Sequence, residues 1–164
     1  EKQCSSGSYD LDGNLALLKL YQFFPEKANP TVIARVLLKA LMQLPDTDFL
    51  LCTYLIPERI TAEAPVLAVC ELSTRLETCA FQQFWEERAA CDLVNSIAGF
   101  DDAIVEYVLG VVKLTYQSID LKYLGEIINV KDAGALDGWV AKVGKKEGAK
   151  VAVTLSDDNK ATVK

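Results

Sequence analysis

From Leu11 onward the chain places apolar side chains at helical spacing. Leu17, Leu20, Tyr21 and Phe24 fall at i, i+3, i+4 and i+7, and Leu11, Leu15 and Leu18 mark a second stripe. A helix apolar on two sides is expected to lie between neighbours, and Pro25 closes it. Asn29 and Pro30 supply an N-cap and a first-turn proline for a second helix, whose stripe of Ile33, Val36, Leu37, Ala40, Leu41 and Leu44 runs up to Pro45. A third helix is expected from Asp46 to Leu55, capped by Asp46, Thr47 or Asp48 and stopped before Pro57. Two or three more follow between Pro65 and Ile97, carrying Val66, Leu67, Val69, Cys70 and Leu72, then Phe81, Phe84 and Trp85, then Leu93 and Ile97. After Gly99, Asp101 or Asp102 caps a long helix through Ser118, with Ile104, Val105, Val108, Leu109, Val111 and Val112 buried. Successive antiparallel helices joined by short polar links are the pattern of an α-solenoid or helical-repeat array, although no strict repeat period is present.

The pattern changes near Ser118. Residues 1–121 carry 9 basic and 17 acidic side chains, whereas residues 122–164 carry 8 and 6. This shift places a domain boundary between a helical-repeat domain, residues 1–118, and a second domain, residues 119–164. In the second, Asp120 caps a short helix bearing Leu121, Leu124 and Ile128, and Asn129 to Asp132 form a turn. Leu136, Trp139, Val140 and Val143 repeat the i, i+3, i+4, i+7 spacing on a further helix ended by Gly144. After a linker from Lys145 to Ala149, Lys150 to Leu155 alternate with Val151, Val153 and Leu155 on one face, and beyond Ser156 to Asn159 the alternation resumes at Ala161 and Val163. Helix, turn, helix and β-hairpin in that order outline a winged helix, so the fold class is mainly α with one small hairpin.

Composition narrows the chemistry. The 164 residues hold 17 basic and 23 acidic side chains and are 51% apolar, which excludes a disordered chain. No uninterrupted apolar run is long enough to span a bilayer, so no membrane association is expected. The absence of histidine removes serine triads, Cys-His dyads and HExxH zinc sites. Cys4, Cys52, Cys70, Cys79 and Cys91 contain no CxxC, and their odd number, with no Asn-X-Ser/Thr acceptor, favours free thiols in a reducing, cytoplasmic setting, with the nucleus left open as a second. Glu1 in place of Met, with no leader pattern after it, reads as a fragment whose ends have been removed.

Near-motifs fail on specific grounds. Gly138 to Gly144-Lys145 has five intervening residues where a phosphate loop needs four, and Lys146 where it needs Ser or Thr. Asp10, Asp12 and Asn14 imitate an EF-hand start, but Leu15 and Tyr21 occupy the Gly and Glu positions, and helix capping explains the acids better. Glu86-Glu87, Asp101-Asp102 and Asp157-Asp158 are neighbours that diverge on a helix or sit in a turn, so they read as solvated faces and caps. Cys70 and Cys79 read as packing thiols, and Phe81, Phe84, Trp85 and Trp139 as core. No catalytic residue, cofactor or metal site is expected, and the protein is not expected to be an enzyme.

A winged helix is often a DNA reader, yet the exposed positions of its second helix here are Ala133, Gly134, Asp137, Gly138 and Lys142, none able to make bidentate base contacts. Lys142, Lys145, Lys146 and Lys150 form a modest basic patch suited at most to weak RNA contact. Direct nucleic-acid binding is therefore expected to be weak or absent. The hairpin's strand of Val151, Val153 and Leu155 instead offers an edge with unpaired backbone groups, suited to pairing with a strand of another subunit.

With that layout, YDLDGNLALLKLYQFFP (Tyr9 to Pro25), VLLKALMQLPDTDFLLC (Val36 to Cys52), LETCAFQQFW (Leu76 to Trp85) and GFDDAIVEYVLGVVKLTYQSID (Gly99 to Asp120), followed by the helix of Trp139, resemble the subunit k family of eukaryotic translation initiation factor 3. The resemblance implies HEAT-like helices followed by a winged helix, related to the PCI domains of the proteasome lid and COP9 signalosome. It further implies a non-catalytic scaffold subunit that binds other subunits of the initiation factor, subunit l above all, and reaches the 40S ribosomal subunit through the complex in translation initiation. A helix before Tyr9 and a helical tail beyond the wing belong to the same family pattern. The alternatives are a nucleic-acid-binding winged-helix protein, or a PCI-type subunit of the proteasome lid or COP9 signalosome.

Overall fold

The computed structural model describes residues 3–4, 7–130, 153–156 and 160–163. The chain divides into two compact units, Glu1–Ile104 and Val105–Lys164. Unit 1 is helical. Helix α1 (Leu11–Phe23) starts on Asp10, whose carboxylate accepts from the Gly13 N–H at 3.0 Å, so capping is the role of this acid. Buried Asn14 exchanges two 3.3 Å amide hydrogen bonds with Gln3, and the Ala98 N–H donates to the Cys4 carbonyl, which ties residues 3–4 into the unit.

The expectation that α1 lies between neighbours on both faces is not met. Leu18 and Asn14 face the core, while Leu20, Phe23 and Phe24 are exposed, and the Lys27 ammonium sits 5.5 Å from the Phe24 ring centre. Two stripes of similar apolarity compete for burial, and α1 packs against α2 (Pro30–Leu41) and α3 (Asp48–Thr53).

Helix α2 is the centre of the unit. The Asn29 side chain accepts from the Thr31 and Val32 N–H groups, and Pro30 occupies the first turn without forfeiting a hydrogen bond. Ile33, Ala34, Val36, Leu37, Leu38, Ala40 and Leu41 are all buried, and Lys39 is only 2% exposed. Helix α3 is shorter than its pattern suggests. Its first turn begins at Asp48, whose carboxylate receives the Tyr9 hydroxyl at 2.8 Å, and its end tightens through i→i−3 bonds at Leu55 and Ile56 ahead of Pro57. A single turn, α4 (Glu58–Thr61), then buries Ile60; four residues carry no readable period, so it was not anticipated.

Helix α5 (Ala64–Glu77) lies against α2 and against α6 (Phe81–Ala89). It buries Val66, Val69, Leu72 and Leu76, leaving Leu67 exposed. It ends in a Schellman arrangement, with the Ala80 N–H on the Arg75 carbonyl (2.8 Å), the Cys79 N–H on the Leu76 carbonyl (3.1 Å) and Cys79 at φ +57°. Phe84 and Trp85 meet edge to face, 5.1 Å between ring centres, and both are buried core residues as expected. Arg75 pairs with Glu87 at 2.8 Å, and both Nε and Nη2 of Arg88 reach the Asp101 carboxylate at 2.8 Å.

Helix α7 (Phe100–Thr115) opens in unit 1, and its remainder belongs to unit 2. Asp101 and Asp102 lie inside its first turn and do not cap it, and Gly99 precedes it at φ +75°. Its apolar positions are buried as expected at Ile104, Val105, Val108, Leu109 and Val112, with Val111 half-exposed. The helix stops at Thr115 and does not reach Ser118, because Ser118–Asp120 forms a strand, β1. Its hydrogen-bond partner is remote in sequence, so local pattern could not reveal it. Asp120 then caps α8 (Leu121–Ile127) as expected, accepting from the Lys122 N–H at 2.7 Å. Asn129, at φ +57°, closes α8 with the Val130 N–H on the Gly125 carbonyl.

Strands β2 (Val153–Ser156) and β3 (Lys160–Val163) form the expected antiparallel hairpin, with Val153 opposite Val163 and Ser156 opposite Lys160. Strand β1 adds to β3, giving the order β1-β3-β2. The expected helix from Leu136 to Val143, its terminator Gly144, the Lys145–Ala149 linker and the strand start at Lys150 and Val151 lie outside the described residues.

Two substitutions test the local logic. Cys79→Gly relieves an exposed left-handed residue and is expected to raise the unfolding free energy by up to about 1 kcal/mol in urea titration. Asn29→Ala removes the acceptor of two N–H groups and is expected to cost about 1 kcal/mol, with most of it kept by Asn29→Asp.

Candidate interaction surface

The sheet of unit 2 presents two edges of unequal use. Strand β1 has three residues, and its last, Asp120, is already committed to capping α8. Strand β2 has four residues, and among the described strands it pairs with β3 alone. In an antiparallel strand alternate residues turn their N–H and C=O groups away from the existing ladder, so β2 carries donors and acceptors directed outward. Of the residues expected at this edge, Val153 and Leu155 lie on β2, and Val151 lies outside the described residues. The candidate RNA-contact residues Lys142, Lys145, Lys146 and Lys150 also lie outside them.

Strand β1, which helps hold the hairpin, was missed in the sequence. Its one buried side chain is Ile119, flanked by exposed Ser118 and Asp120, and three residues are too few for alternation to be counted. The available signal was Asp120 itself, because an N-cap residue takes an extended conformation, here φ −65° and ψ 133°.

The titratable groups of unit 1 are set for packing. Burial, followed by the Asp48 charge, pushes the Cys52 thiol up to about 11, and burial, followed by Glu71, also raises Cys70. Both thiols are thereby held protonated near neutral pH, the opposite of an activated nucleophile. The Tyr9 phenol is raised above its ordinary range, chiefly by burial and then by its hydrogen bond to Asp48. An open cleft of about 370 Å³ is lined by Arg88, Asn95, Gly99, Phe100, Asp101 and Asp102, among others. Its arginine is already engaged by Asp101 and Asn95. Among the described residues no group of three His, Cys, Asp or Glu side chains is placed to hold a metal ion, and no helix is long and apolar enough to cross a membrane.

Residues 27–163 match the family model described as the CSN8/PSMD8/EIF3K family. The chain is 40% identical over 162 residues to the Xenopus tropicalis protein named eukaryotic translation initiation factor 3 subunit K, an alignment spanning 97% of this chain and 74% of the frog protein. It is 42% identical over 145 residues to the Homo sapiens protein of the same name, covering 88% of this chain and 66% of that one. The Nematostella vectensis protein so named is 40% identical over 143 residues, covering 87% and 66%. The mainly helical chain with its small antiparallel sheet belongs to the CSN8/PSMD8/EIF3K family.

Proposed function

We propose that this chain is a non-catalytic scaffold subunit of eukaryotic translation initiation factor 3, acting in the cytoplasm through protein–protein contacts. The observation that carries the reading is the 40% identity across 97% of the chain to a protein bearing that subunit's name. The helical array, residues 1–118, serves as the scaffold, and residues 119–164 form a winged-helix module. The module pairs with a neighbouring subunit, subunit l foremost, through the open edge of β2, and the chain meets the 40S subunit through the assembled factor. The position of β2 at the edge of the sheet among the described strands supports this choice, because main-chain hydrogen bonds give strand addition its affinity. The protonated thiols and the absence of histidine support a role without covalent chemistry.

Co-purification with subunit l tests the pairing. The parent chain is expected to retain the subunit, and Val153→Glu, which sets a charge in β2, is expected to reduce retention at least about tenfold while thermal unfolding stays within a few degrees. Retention unchanged by Val153→Glu overturns the edge assignment. Failure of the parent chain to recover any subunit of the factor from cytoplasmic extract overturns the scaffold reading itself.

A further inference from the structure

We propose that the outward face of helix α3 is a second docking surface, shaped for a lysine- or arginine-rich amphipathic helix of a partner protein. It is independent of the β2 edge and lies in unit 1. Helix α3 turns Phe49 and Cys52 into the core. On the opposite arc Leu50, Leu51 and the C-cap Tyr54 stand at i, i+1 and i+4, exposed by 48%, 43% and 74%. Large apolar side chains gathered on one helical arc mark a binding surface more often than singly scattered ones do.

The surrounding charge selects the partner. Exposed Asp46 and Glu58 bracket the helix. From Ala40 to Ile104 there is no lysine, and eleven carboxylates stand against three arginines. Two of those arginines are already engaged, Arg75 by Glu87 and Arg88 by Asp101, and the third, Arg59, is exposed next to Glu58. An apolar arc in such a field attracts a helix whose apolar stripe is flanked by cations. The same field repels a phosphate backbone or an anionic membrane. It also opposes a second copy of this chain, because two-fold pairing sets identical acidic surfaces against each other.

The test uses two synthetic fluorescein-labelled helices, one with leucines on one face and lysines on the other, and its leucine–glutamate counterpart. Anisotropy titrations against the whole chain are expected to show binding of the lysine helix alone. The triple variant Leu50→Ser, Leu51→Ser, Tyr54→Ser is expected to weaken that binding at least about tenfold. Asp46→Asn with Glu58→Gln is expected to weaken it less and to flatten its salt dependence, and Val153→Glu is expected to leave it unchanged. Because all three apolar side chains are exposed, circular dichroism should be preserved, and if the triple variant unfolds, Tyr54→Ser alone carries the comparison. Equal binding to parent and apolar variants, equal binding of the glutamate helix, or a sedimenting dimer that the variant dissociates each overturns the proposal.

Discussion

Helix α2 is held by the burial of its second half, where every residue from Val36 to Leu41 is covered. That half has no face to give to water, so it depends on its neighbours α1, α3 and α5. Each fully buried Val, Leu or Ile side chain contributes about 1.5–3 kcal/mol, so Ile33, Val36, Leu37, Leu38 and Leu41 of α2 together are comparable to the net stability of an ordinary domain. Even Lys39 is drawn under, its aliphatic stem serving as apolar surface. Short elements follow from this demand: α3 and the single turn α4 need only supply Phe49, Cys52 and Ile60 to the core, and the rest of each is free for other contacts.

Several acidic side chains of the chain serve its fold. Carboxylates serve as caps at Asp10 and Asp120, as an acceptor for Tyr9 at Asp48, and as partners for arginine at Glu87 and Asp101. Buried thiols are kept neutral by the same low-dielectric surroundings that stabilise the core. Among the described residues, backbone groups along β2 and apolar side chains on α3 are two of the features directed outward.

Sequence pattern was most legible where local chemistry decides. Caps at Asn29 and Asp120, prolines at Pro25, Pro30 and Pro57, and the buried stripe of α7 follow from spacing and side-chain type. It was least legible where a distant partner decides. Which stripe of α1 is buried depends on where α2 and α3 lie, and the strand Ser118–Asp120 exists because β3 arrives from forty residues later in the chain. The hairpin and its edge strand were readable from alternation, whereas the addition of β1 to β3, which leaves β2 outermost among the described strands, was not. The exposed arc of α3 escaped notice for a related reason: Leu50, Leu51 and Tyr54 are apolar like their buried neighbours, and only the packing separates them.

Asp120 ends strand β1 and begins helix α8 in one residue, with no loop between. Two hydrogen-bonded ladders lead from the outer strand β2 through β3 to that residue. The junction therefore has little slack. A substitution at Asp120 therefore disturbs two elements at once, because losing the carboxylate uncaps α8 and shifting the backbone there disturbs the last pair of β1 with β3.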